Sequence, residues 1–271
     1  QEDEVQRIAR YIAGIIDDGS TLQIGLGQLA HEALPYLTDR KDLGVHSDLI
    51  SDAIIPLLQS GNLTGARKTG KPFKIVASLA LGSRALYDLI NGNPLFSFEP
   101  MDAVCNVATI AAQHKMVAIA QAYAVDLTGQ VCIDQFGGEF YSGIGGQGEF
   151  LQGASRSPGG KPIVCMTSTT EDGTHSRIRP SLLQGESATI ARTDVHYVVT
   201  EFGIAYLFGK SIRERAMALI ELAHPQFRPG LFAQAQAMGY LGADQTLQNL
   251  RAYPVEEEIT VTLKDGRKVM L

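Results

Sequence analysis

Val5, Ile8, Ile12, Ile15 and Ile16 recur at helical spacing, so the chain opens on an amphipathic helix that Asp17-Asp18-Gly19-Ser20 ends. Thr21 to Gly25 reads as a short buried strand, and Leu26-Gly27 turns into a second helix that runs through Leu37. Asp42 to Ser47 predicts another strand, Ser51 to Leu58 a helix, Lys74 to Leu81 a strand and Arg84 to Ile90 a helix. Strand, turn and helix in repeated order predict an α/β fold: an open, mixed, mainly parallel sheet flanked by helices.

The middle of the chain changes character. Met116–Ala124, Gly129–Asp134, Lys161–Ser168 and Ala188–Val199 are rich in Val, Ile, Ala and Tyr, with glycine turns between them. They predict strands, some of them antiparallel. Ile212 to Ala223 predicts a last clear helix, stopped by His224-Pro225, and beyond Gly230 a weaker Ala- and Gln-rich helical pattern follows. Ile259 to Leu271 reads as a β-hairpin about an Asp-Gly turn at Asp265-Gly266. The chain therefore divides into a domain over residues 1–250 and a linker plus hairpin over 251–271.

Composition narrows the function classes. The chain has 271 residues and a formal net charge of −6, which disfavours a nucleic-acid-coating protein because phosphate neutralisation needs a cationic surface. Cys105, Cys132 and Cys165 cannot all pair within one chain and form no CxxC, so a disulfide scaffold and a structural zinc site are both disfavoured and a reducing cytoplasm fits. No run of 18 apolar residues marks a spanning helix, so no membrane partner is expected. The start at Gln1 and the apolar end at Leu271 read as a piece of a longer protein.

Three glycine-rich stretches are candidates for binding. Gly25-Leu26-Gly27 lets a backbone approach a ligand ahead of a helix, and a tight packing turn explains it equally well. Ser142 to Phe150, with Gly143, Gly145, Gly146 and Gly148, offers unencumbered N–H groups for an oxyanion hole or anion nest, the alternative being a hairpin tip. Gly153 to Lys161 joins Arg156 and Lys161 to serines and glycines, a chemistry suited to phosphate or to a solvated turn. Asp48, where a strand runs into a helix, is a turn residue or a carboxylate nucleophile; Ser51-Asp52 offers a separate cap nearby. Glu201 follows an apolar strand and precedes a glycine, a site-like position or a plain strand-end acid. No Gly-x-Ser-x-Gly elbow and no HExxH spacing is present, so a serine hydrolase and a zinc hydrolase are not favoured, and no metal is expected.

Ile24 to Gly27, Gly44 to Asp52, Tyr141 to Gln147, Gly153 to Ser157 and Asp194 to Gly203 occur in fixed order. Together they resemble the C-terminal half of the acetyl-CoA hydrolase/transferase family, and within it the 4-hydroxybutyrate CoA-transferase group of class I CoA-transferases. Arg213 to Ala216 and Ala223 to Pro225 fit its closing helix, and the likeness spans roughly residues 5 to 230. The resemblance implies two homologous α/β halves, the N-terminal one being this segment's partner. A carboxylate attacks an acyl-CoA, an anhydride and then an enzyme–CoA thioester follow, and a small carboxylate or water completes turnover. It places Asp48 as nucleophile, with oxyanion donors at Leu26 and at Gly145 or Gly146. Gly25, Gly27, Gln147, Glu201, Arg156 and Lys161 are implied at the acyl-CoA site, with coenzyme A as substrate and no permanently bound cofactor. A homodimer is also compatible with the family.

Two positions depart from that family's pattern. Asp48 stands where the family carries a glutamate, one methylene longer, and Ala30 where it often carries proline. The shorter side chain leaves three readings open: an active transferase, a hydrolase, or a non-catalytic acyl-CoA-binding module within a larger multidomain protein. The terminal hairpin also resembles the entry strands of a GCN5-related N-acetyltransferase domain.

Overall fold

The computed structural model describes residues 3–25, 27–247, 260–262 and 268–270. In chain order, α1 (Glu4–Gly14) leads to β1 (Thr21–Ile24), α2 (Gln28–Ala33), β2 (Gly44–Ile50), α3 (Ile55–Gln59), β3 (Ile75–Ala80), α4 (Arg84–Ile90) and β4 (Phe96–Phe98). Then come α5 (Met101–Val104), α6 (Val107–Ala111), β5 (Met116–Gln121), β6 (Ala124–Asp126), β7 (Val131–Cys132), β8 (Gln135–Phe136) and β9 (Glu139–Phe140). The chain continues through α7 (Gln147–Arg156), β10 (Lys161–Cys165), β11 (Ile178–Arg179), β12 (Tyr197–Thr200), β13 (Gly203–Tyr206), α8 (Ile212–Leu222) and α9 (Arg228–Ala237). β14 (Thr260–Thr262) pairs antiparallel with β15 (Lys268–Met270), in keeping with a hairpin; its turn and the expected boundary near residue 250 lie outside the described residues.

The main sheet has the order β13-β12-β10-β5-β1-β2-β3-β4. Every neighbouring pair is parallel except β12 and β13. A parallel sheet covered on both faces needs apolar side chains at successive positions, and these strands supply them. Leu22, Val45, Ile75, Val117 and Ile163 turn to one face, where Ile8, Ile12, Leu29 and Leu57 from α1, α2 and α3 meet them. Val76, Met116, Ala118 and Val164 turn to the other, beneath Val104, Ile110, Phe150 and Leu151 from α5, α6 and α7. Asp3 caps α1 by accepting the Gln6 N–H at 2.7 Å, and Ser211 with Glu214 closes a capping box on α8.

Several expected elements shift. β2 runs on to Ile50, so Asp48 is a strand residue and not a turn or cap; Ser51 caps the next turn by accepting the Ala53 N–H. The single strand expected over Met116–Ala124 breaks after Gln121, because β6 leaves to join a separate sheet of order β11-β6-β7. Of the long strand expected over Ala188–Val199, the main sheet keeps β12 from Tyr197; Ile190 instead bridges Val131, and Asp194 N–H closes a turn on Ala191 O. Gly153 to Arg156 is not a loop but the end of α7, where Gly153 is required by close packing: a Cβ there would lie 2.4 Å from Ile110 Cγ2.

Candidate active site

From β1 the chain crosses to β2 on one side, and from β5 it returns at β10 on the other. The loops leaving the carboxyl ends of these adjacent strands therefore diverge, which opens a crevice at the switch point where open α/β sheets bind ligands. Asp48 stands beside it, near the carboxyl end of β2 and half-buried. It shares a face with His46, the face covered by α5, α6 and α7, because alternate strand residues point the same way.

The surroundings of Asp48 come from four segments. From β1, the fully buried Gln23 accepts the Ile119 N–H on Oε1 at 3.1 Å, which turns its amide nitrogen toward Asp48 Oδ1 at 3.4 Å. Ser47 Oγ lies 3.3 Å from the same oxygen; its proton has a nearer acceptor in Leu49 O at 2.7 Å, and it accepts the Ile24 N–H at 3.3 Å. Below, His46 donates from Nε2 to Val104 O at 2.9 Å, tying α5 to the strand. Burial lowers the His46 pKa to about 4; the Val104 hydrogen bond opposes that shift and the Lys68 ammonium adds to it. The ring is therefore neutral near pH 7 and serves as a tie, not as an acid.

The fourth segment is the second glycine loop. Gly146 caps α7, and a Cβ on it would lie 2.7 Å from Cys105 Sγ, so glycine lets the loop close against that thiol. Burial raises the Cys105 pKa to about 11, and the charges of Asp48 and Glu149 add to the effect. The thiol is thus a neutral group that touches the loop and feels the Asp48 charge. Gly145 has φ of +62°, a conformation that suits glycine. Gln147 Oε1 is buried and accepts no hydrogen bond among the described residues.

The first glycine bend is close by. Gln23 Nε2 lies 3.6 Å from where a Gly25 Cβ would stand. Gly27 is fixed by packing, since a Cβ there would meet Gln121 Oε1 at 2.8 Å; that same oxygen accepts the Leu29 N–H at 3.2 Å. Leu26 lies outside the described residues.

Three expected residues are not gathered at this place. Glu201 sits at the same sheet edge but in the turn from β12 to β13, four strands from β2, or about 19 Å at ordinary strand spacing. Its buried carboxylate is taken up by the main-chain N–H and the hydroxyl of Ser168. Arg156 ends α7 and pairs with Asp194 at 3.3 Å. Lys161 begins β10, donating to Ile15 O at 2.6 Å and pairing with Asp17 at 2.7 Å. β10 points its carboxyl end toward the crevice, so both cations stand at the opposite edge of the sheet. The residues near Asp48 that the sequence reading did not single out for the site are Gln23, Ser47 and Cys105. No local pattern marked the strand residues among them, because their place depends on register between strands.

A half-buried carboxylate near the carboxyl end of a strand, beside a switch point, defines a class: an α/β domain with a ligand crevice at the carboxyl edge of its sheet. Residues 82–235 match the family model of the acetyl-CoA hydrolase/transferase C-terminal domain. The chain is 43% identical over 229 residues to a 4-hydroxybutyrate coenzyme A transferase of Clostridium kluyveri, covering 84% of this chain and 53% of that protein. It is 42% identical over 233 residues to a succinyl-CoA:cyclohexane-1-carboxylate CoA transferase of Geobacter metallireducens, covering 86% of this chain and 53% of that protein. The crystal structure of RipA from Yersinia pestis superposes with a TM-score of 0.84 at 37% identity, covering 89% of this chain and 54% of that one. The chain belongs to the acetyl-CoA hydrolase/transferase family, and it spans about half the length of the curated relatives it matches.

Proposed function

We propose that the protein containing this chain moves coenzyme A between a short-chain acyl-CoA and a small carboxylate, with Asp48 as the covalent nucleophile. The observation that carries this reading is Asp48 itself, a half-buried acid near the carboxyl end of β2 with the Gln23 amide of β1 turned toward its Oδ1. An Asp48 oxygen attacks the thioester carbon, the C–S bond breaks, and the electron pair leaves on the CoA sulfur. The thiolate then attacks Asp48 Cγ of the mixed anhydride and the acyl group leaves as its carboxylate. An Asp48–CoA thioester results, from which an incoming carboxylate recovers CoA by the reverse order of steps. Main-chain N–H groups at Leu26 and at Gly145 or Gly146 are the proposed oxyanion donors.

Coenzyme A is substrate in this scheme, and no prosthetic group takes part. The partner for the open side of the crevice is the other half of the family's two-domain chain. Exposed Leu79, Leu81, Phe98, Tyr141 and Ile144 on that side support a covered rim. Incubation of the full-length protein with acetyl-CoA, quenching with hydroxylamine or borohydride, and peptide mass spectrometry tests the scheme. Modification is expected at Asp48 and is absent in Asp48→Asn. Hydrolysis without any trapped adduct would support water as the direct nucleophile, and CoA binding without turnover would support a sensor; either outcome removes the covalent scheme.

A further inference from the structure

The strand on the far side of Asp48 carries a buried hydroxyl with no hydrogen-bond partner among the described residues. β2 and β3 run in parallel register, with Ser47 opposite Ala77 and Leu49 opposite Leu79, so Ser78 stands beside Asp48. Val76, opposite His46 and two residues before Ser78, packs into the core under α5, α6 and α7. Ser78 therefore turns to the same face as Asp48. Its Oγ is buried and has no hydrogen-bond partner among the described residues. Further along, on β4 and just beyond it, Ser97 and Glu99 are bonded to one another at 2.7 Å and to Lys71, so they take nothing from Ser78.

A buried hydroxyl without a partner destabilises a fold, and replacing it with a methyl group is neutral or stabilising. The two groups that reach Asp48 Oδ1 come from β1 and from Ser47 of β2 itself, leaving the β3 side of the carboxylate to Ser78. We infer that Ser78 is a catalytic residue whose hydroxyl donates a hydrogen bond to the Asp48 carbonyl oxygen when CoA or the acceptor attacks Asp48 Cγ. In that step the Cγ–O π electrons move onto oxygen, the Ser78 O–H hydrogen-bonds to the developing charge, and the electrons return as the leaving group departs. No proton is transferred, so the serine is unchanged at the end. The inference rests on the reading of Asp48 as nucleophile and adds a donor for the chemistry at the enzyme's own carbon, separate from the glycine loops.

The test uses the full-length protein and its Ser78→Ala, Ser78→Thr and Asp48→Asn variants, with acetyl-CoA as donor and propionate as acceptor. Removing one oxyanion donor lowers kcat by about 100-fold, and Ser78→Ala is expected to lose that much with KM for acetyl-CoA unchanged. Its thermal midpoint is expected to hold or rise, which a merely structural serine would not combine with lost turnover. Ser78→Thr keeps the hydroxyl and is expected within about tenfold of wild type by the same reasoning. Ser78→Ala turning over like wild type, while wild type still yields the Asp48 adduct, overturns the inference alone. Failure to trap any adduct at Asp48 in wild type removes both the inference and the reading beneath it.

Discussion

His46 sits two residues before Asp48, is 4% exposed, and holds a pKa of about 4 against an ordinary 6.5. The shift has a stability consequence with a definite sign. Between pH 4 and 6.5 the unfolded chain binds a proton at His46 and the folded chain does not, so folding stability falls as the solution is acidified across that window. At about 1.4 kcal/mol per pH unit, the interval amounts to about 3 kcal/mol, fully present above pH 6.5 and lost by pH 4. Other groups titrate in the same window, so the quantity to measure is a difference. Urea midpoints of wild type and His46→Asn, taken from pH 7.5 to pH 4, isolate the one ring because the shared carboxylates cancel. The gap in favour of wild type should shrink by about 3 kcal/mol on acidification. A gap that stays constant with pH would refute the assignment of a neutral, buried Nε2–H donor to Val104 O.

Lys68 is 4% exposed, and among the described residues its ammonium meets the carbonyl of Lys74 at 2.8 Å and no carboxylate; burial, with Lys71 adding, lowers its pKa from 10.5 to about 8. Lys68→Met should raise stability by about 2–3 kcal/mol at pH 7, and its advantage in denaturation midpoint should fade between pH 8 and 10.5, as the folded wild type sheds that proton before the unfolded chain does. Asp48→Glu should raise transferase turnover by up to about 100-fold, the scale of a ~1 Å misplacement; unchanged or lower kcat in a carboxylate-exchange assay would show that the strand already places the shorter acid correctly. Gly153→Ala presses a methyl group into Ile110 and should cost about 1–3 kcal/mol, read as a lowered thermal midpoint.

The order of the first elements was legible because helical and strand periods are local properties of the chain. Val5 to Ile16 repeats at helical spacing, and α1 follows it from Glu4 to Gly14. The stretch from residue 91 to 115 carried no clear period, and it holds three elements of three to five residues, too short for any period to register. Ser47, Gln23 and Ser78 were hidden for a different reason. Their meaning depends on register between strands that are 20 to 30 residues apart, which no local pattern encodes. Arg156 and Lys161 misled in the opposite way. A basic, serine- and glycine-rich stretch has phosphate chemistry wherever it lies, and only the reversal of direction between α7 and β10 sets it at the far edge of the sheet.

That far edge and the near one treat charge differently, and the contrast bears on where reactivity can reside. At the amino end of the sheet four cations are engaged: Lys161 on Asp17 and Ile15 O, Arg156 on Asp194, Lys68 on Lys74 O, Arg40 on Ile16 O at 2.7 Å and Ala13 O at 3.2 Å. At the carboxyl end Asp48 is half-buried and makes no ion pair among the described residues. A structural carboxylate in that position gains by acquiring a cation, whereas a nucleophile loses by it, since a close cation draws off the electron density that must attack. The amide that Asp48 does meet, from Gln23, is neutral and long at 3.4 Å, and it orients an oxygen without neutralising it. An acid left to neutral neighbours in this way suits the covalent acyl transfer proposed above.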